Sequence, residues 1–108
     1  MAHVTQQRRL HERYEIRLPV VVLHEDTAYT GETQNVSLGG MLITGDAGRV
    51  PFGSAVRVRV EASRPAIESE IEATVRWVKD GSIGVQFGSL RAKEQWALNQ
   101  LLKAGTPG

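Results

Sequence analysis

Alternating apolar and polar residues run through most of the chain, and the period changes only near the C-terminus. Val56, Val58 and Val60 alternate with Arg57, Arg59 and Glu61 over 54–61. Ile67, Ile71, Ala73, Val75 and Trp77 lie opposite Glu68, Glu70, Glu72, Thr74 and Arg76 over 67–78. A period of two sends successive side chains to opposite faces of a strand, so each run predicts a core face and a water face, with Trp77 on the core face. Ile83, Val85 and Phe87 resume the pattern after Asp80-Gly81, a two-residue hairpin signal. Upstream, the β-prone run Val20-Val21-Val22-Leu23 predicts a strand over 17–24, with Pro19 near its start where a missing donor is tolerated. The polar turn His24-Glu25-Asp26 leads into strands over 27–37 and 40–44. Glycine and proline break the pattern over 45–53, and Arg64-Pro65 marks a further turn.

Beyond Ser89, a candidate N-cap, the period becomes helical. Leu90, Ala97, Leu98, Leu101 and Leu102 share one side of a helix over 90–104, closed by Gly105 and followed by Pro107. Trp96 falls off that side and is expected to widen the core face rather than to meet a partner. Six evenly spaced strands and one helix predict a mainly β fold: a small six-stranded antiparallel β-barrel with a C-terminal α-helix plugging its open end. Closure removes sheet edges that a chain of 108 residues has no other means of covering. Residues 1–16 are polar and aperiodic and are expected to form a mobile arm, with the barrel and helix over 17–104 and a tail over 105–108.

Composition narrows the function classes. A formal net charge of +1 supplies no global field for non-specific nucleic-acid binding. With two each of Trp, Tyr and Phe, mostly on predicted core faces, a single-strand-binding barrel with exposed stacking aromatics is disfavoured. No cysteine is present, which removes disulfides, thiol nucleophiles and cysteine metal sites. His3, His11 and His24 are scattered, and the Glu68, Glu70 and Glu72 row reads as a water face without a completing ligand, so no metal site is expected. Ser37 has no histidine placed to activate it, and no catalytic residue is assigned. The longest apolar run, Leu18 to Leu23, is far too short for a membrane span, and the first residues lack an apolar signal core. A cytoplasmic protein without membrane insertion is the expectation.

Charge is unevenly placed. Arg8, Arg9, Arg13 and Arg17 crowd the N-terminal segment, which alone would read as a solvated tail. Further on, Asn35-Val36-Ser37-Leu38-Gly39-Gly40 combines small polar groups with adjacent glycines. On an extended backbone Asn35 and Ser37 leave the same face, and Gly39 and Gly40 free the backbone for positive φ and keep the surface bare. A turn or β-bulge explains the glycines equally well. Asn-Val-Ser is also a glycosylation sequon, which would need a secretory route. The glycine-rich stretch 45–53 lacks the lysine and helix of a phosphate loop.

In their order and separation, Arg9 and Arg13 as RxxxR, followed by Asn35, Ser37 and Gly40 as NxSxxG, resemble the PilZ domain family, bacterial receptor modules for cyclic di-GMP. The resemblance covers about Arg8 to Lys103 and implies the same barrel. It implies a ligand on the outer barrel wall over Asn35, Ser37, Gly39 and Gly40, with Arg8, Arg9 and Arg13 folding over it as a clasp. It also marks Trp77 as a wall of the site, against the core position given by alternation. A side chain at Gly40 is then expected to block ligand while leaving the fold largely intact. Residue chemistry agrees: guanidinium forks clasp phosphate, pair with guanine O6 and N7 and stack on purines. Glu12 departs from the commoner uncharged residue, and Asn35 from the commoner Asp. An arginine at position 8 goes, in similar proteins, with two stacked cyclic di-GMP molecules per chain. No cofactor is implied, and with no output domain in the sequence, signalling would pass to a protein effector. The competing expectation is an adaptor barrel that binds protein without any ligand.

Overall fold

The computed structural model describes residues 13–61, 67, 70–103 and 106–107. Eight strands and one α-helix follow in order: β1 Tyr14–Glu15, β2 Pro19–His24, β3 Thr27–Val36, β4 Gly40–Thr44, a 3-10 helix Asp46–Arg49, β5 Ala55–Val60, β6 Ile71–Lys79, β7 Ser82–Phe87, α1 Ala92–Lys103 and β8 Thr106–Pro107. Six of the strands close on themselves in the order β2-β5-β6-β7-β4-β3, with β3 returning to β2, all antiparallel. The expected six-stranded barrel with a terminal helix is therefore the architecture found. Glu25, Asp80 and Gly81 take positive φ at the β2–β3 and β6–β7 turns, the backbone twist that two-residue hairpins require.

The core follows the alternation. Val56, Val58 and Val60 of β5 and Ile71, Ala73 and Val75 of β6 are buried, as are Ile83, Val85 and Phe87 of β7. Ala97, Leu98, Leu101 and Leu102 of α1 join the same cluster. Ala47 and Val50, in and just after the 3-10 helix, belong to it as well. Outside, Arg57 meets Glu70 at 2.9 Å, and Arg59 meets Glu61 at 2.9 Å and Glu70 at 3.8 Å. Exposed pairs of this kind contribute little to stability, and they account for Glu70 without a metal.

Several boundaries and orientations differ from those predicted. β6 begins at Ile71 rather than at Ile67, and α1 begins at Ala92. Its first turn is served by Glu94, whose Oε1 accepts the Arg91 N–H at 3.1 Å, in place of Ser89. Trp96 does not widen the core face but stands 59% exposed. Trp77, placed in the core by alternation, is 45% exposed. The β6–β7 register explains this, because Val75 faces Val85 while Trp77 faces Gly84, which leaves Arg76 as an extra residue in a bulge. One inserted residue reverses every side chain beyond it. Within the segments expected to be arm and tail, Tyr14–Glu15 pairs with Val36 on one side and with Thr106–Pro107 on the other.

Candidate functional site

The site is built on β3 and its neighbours. A second bulge lies here: Thr33 faces Ile43 and Asn35 faces Leu42, so Gln34 is the extra residue. Thr33, fully buried, turns this irregularity into a joint with the N-terminal segment. Its hydroxyl accepts the Leu18 N–H at 2.8 Å and donates to the Ile16 carbonyl. The chain between β1 and β2 is thereby stitched to β3 where ladder pairing is interrupted. This sets Arg13, the residue before β1, close enough for its Nη1 to donate to Asn35 Oδ1 at 3.0 Å. The second arginine of RxxxR and the first residue of NxSxxG are thus in direct contact.

Ser37 is oriented differently from Asn35. It is buried, and its Oγ accepts the Gly39 N–H at 3.0 Å and the Gly40 N–H at 3.1 Å, holding the tight β3–β4 turn closed. The Ser37 N–H in turn donates to the Gly40 carbonyl at 2.9 Å. Neither Gly39 nor Gly40 is among the positive-φ glycines, which are Gly45, Gly53 and Gly81. Gly40 is needed for close approach instead, because a Cβ there would stand 2.0 Å from the Val85 carbonyl oxygen of β7. The expectation that a valine at this position leaves the fold intact is therefore corrected. Gly39 contributes its carbonyl to the Phe87 N–H at 2.8 Å. Arg8 and Arg9 lie outside the described residues.

Register then joins Asn35 to the displaced tryptophan. Asn35 faces Leu42, Leu42 faces Gly84 and Gly84 faces Trp77, a single row across β3, β4, β7 and β6. At about 4.8 Å per strand the row spans roughly 14 Å of outer wall. Gly84 keeps the middle of that wall low. A Cβ there would meet Trp77 Cβ at 3.2 Å and Cε3 at 3.8 Å, so the indole lies against the bare backbone of β7. Leu42 and Gly84 were not singled out from sequence. An isolated glycine between Ile83 and Val85 was the available signal, since glycine within a strand marks close approach. A cleft of about 420 Å³ over β2, β5 and β6 touches none of these residues. Glu25 and Glu72 beside its one arginine, Arg57, suit it poorly to an anion.

A model of the PilZ domain family matches residues 7–104. The chain belongs to the PilZ domain family. PilZ domains are binding and adaptor domains that generally take cyclic di-GMP. Among solved structures, the fold is similar to the PilZ domain of CeSA from a cellulose-synthesizing bacterium, with a TM-score of 0.66 and 17% identity over 85% of this chain and 95% of that one. It is also similar to MotI/DgrA, the Bacillus subtilis inhibitor of motility, with a TM-score of 0.67 and 24% identity over 91% of this chain and 49% of that one. This PilZ domain thus spans about half of the motility inhibitor. No curated protein matches it in sequence. Among the described residues no helix is long and apolar enough to cross a membrane, and no cluster of metal-ligating side chains occurs.

Proposed function

We propose that this PilZ domain is a cyclic di-GMP receptor that binds its ligand on the outer wall between Asn35 and Trp77 and closes the arginine arm over it. The observation that carries the reading is the row from Arg13 and Asn35 through Leu42 and Gly84 to Trp77. It offers a guanidinium and an amide at one end, a low floor, and an exposed indole at the other. Those features suit a ligand with purine faces to stack and phosphates to neutralise. A convex barrel wall encloses nothing alone, so the arm carrying Arg8, Arg9 and Arg13 supplies the second side. Ser37 and Gly40 serve this site by fixing the β3–β4 turn beside Asn35. Ligand then orders the arm, and the ordered arm presents a surface to a protein effector.

The test is calorimetry of the protein with cyclic di-GMP, GTP and a short oligonucleotide. Saturable heat with cyclic di-GMP alone is expected. Heat with none of them would leave the ligand-independent adaptor, and heat with the oligonucleotide would favour a nucleic-acid barrel. As a check on the clasp, amide exchange over residues 4–13 slows on adding ligand. Unchanged exchange there, with binding confirmed, overturns the closing arm.

A further inference from the structure

The β6 bulge does more than turn Trp77 outward. Because Arg76 is the extra residue, it and Trp77 are both exposed, neighbours on one short stretch of wall. Arg76 Nε donates to Gln86 Oε1 at 3.2 Å. Gln86 is an exposed residue of β7, in register with Gly40 on one side and Thr74 on the other. Arg17, Arg57, Arg59 and Arg91 each meet a carboxylate, whereas among the described residues Arg76 meets only this neutral amide. Arg13 is held in the same way, by the amide oxygen of Asn35 at the other end of the row.

The geometry points to Arg76 as a specificity-determining residue of the site proposed above: it reads the O6 and N7 edge of the guanine that stacks on Trp77. This rests on the cyclic di-GMP reading. A hydrogen bond at Nε fixes the guanidinium plane and leaves both terminal nitrogens without an acceptor among the described residues. They form a parallel two-donor fork, the shape that pairs with two adjacent acceptors on guanine. A neutral partner orients the side chain without cancelling its charge, so part of the ordering cost is met before ligand arrives. Adenine presents an amino donor where guanine has O6, so the same fork meets a donor and one bond is lost.

Calorimetry of the parent, Arg76→Gln and Arg76→Lys with cyclic di-GMP and with its 7-deaza analogue, in which a C–H replaces N7, tests the assignment. Arg76→Gln is expected to weaken cyclic di-GMP by about ten- to a hundredfold. Arg76→Lys, which keeps charge but not the fork, should be nearly as weak. The parent should prefer cyclic di-GMP over the deaza analogue, and that preference should shrink in Arg76→Gln. If Arg76→Lys restores parental affinity, or the preference is the same in parent and variant, Arg76 supplies only charge and the assignment fails. Parental affinity in Arg76→Gln overturns this inference and leaves the receptor reading standing. A parent that binds neither ligand overturns the receptor reading, and this one with it.

Discussion

At the scale of single residues, the NxSxxG motif divides into groups that face the solvent and groups that hold the turn. Asn35 is within hydrogen-bond reach of Arg13, while the Ser37 hydroxyl is occupied by two backbone N–H groups and Gly40 is pressed against β7. Gly40→Val is therefore expected to destabilise the fold by about 1–3 kcal/mol or more, since the added atoms meet backbone that has no room to move. Urea denaturation checks it, and a midpoint equal to the parent's would show that β4 and β7 separate at no cost. Arg13→Ala should behave in the opposite way. Its side chain is exposed, so stability stays within about 0.5 kcal/mol of the parent. Loss of a bidentate contact should weaken cyclic di-GMP by about one to two powers of ten. The residue types of the motif were legible in sequence, but this division of labour was not. It depends on which way the Ser37 hydroxyl points and on how near β7 runs, and neither is a property of local spacing.

Among the elements, alternation located β5, β6 and β7, because half-buried strands carry their burial in the pattern itself, while β2 was legible as a β-prone run and β3 and β4 by the turns that bound them. The two bulges escaped it. Val75 and Trp77 keep a period of two in sequence, and the extra residue is visible only against the partner strand, where Val85 and Gly84 are adjacent. The same blindness applies at Gln34, where the bulge shifts Asn35 relative to the rest of β3. The joint between β1 and β2, where the Thr33 hydroxyl takes the place of a ladder hydrogen bond, leads into the segment that sets Arg13 beside Asn35. Thr33→Val keeps the shape and removes both bonds, leaving the Leu18 N–H without that acceptor. A loss of about 1–3 kcal/mol is expected. Faster amide exchange at Leu18 than at Val22, in the middle of β2, would place the loss at the joint. If Leu18 and Val22 accelerate together, the hydroxyl supports the barrel as a whole and does not govern the arm.

For the molecule as a whole, closure through β2 and β3 gives a barrel against which β1 pairs, with β1 lying between β3 and β8. Two-residue strands have no periodicity to read, so the pairing of β1 with β3 and β8 lay beyond the sequence pattern even though the barrel did not. It places the root of the arginine arm beside the site wall, which makes the number of ligands a property of the entire assembly of arm and barrel. Arg8 lies outside the described residues, and its part rests on charge. If the domain is the receptor proposed above, a single cyclic di-GMP would give Arg9 and Arg13 enough phosphate and purine to engage. A self-stacked pair doubles the phosphates, and their mutual repulsion calls for a further guanidinium, with extra purine faces on which it can lie. We therefore predict two ligands per chain, with Arg8→Leu moving the ratio toward one while measurable affinity is retained. Titration at protein concentrations well above the dissociation constant reads the ratio from the equivalence point. An equivalence point of one for the parent would overturn the pair and leave Arg8 as a solvated residue of the arm. Two for both parent and variant would keep the pair and remove Arg8 from it.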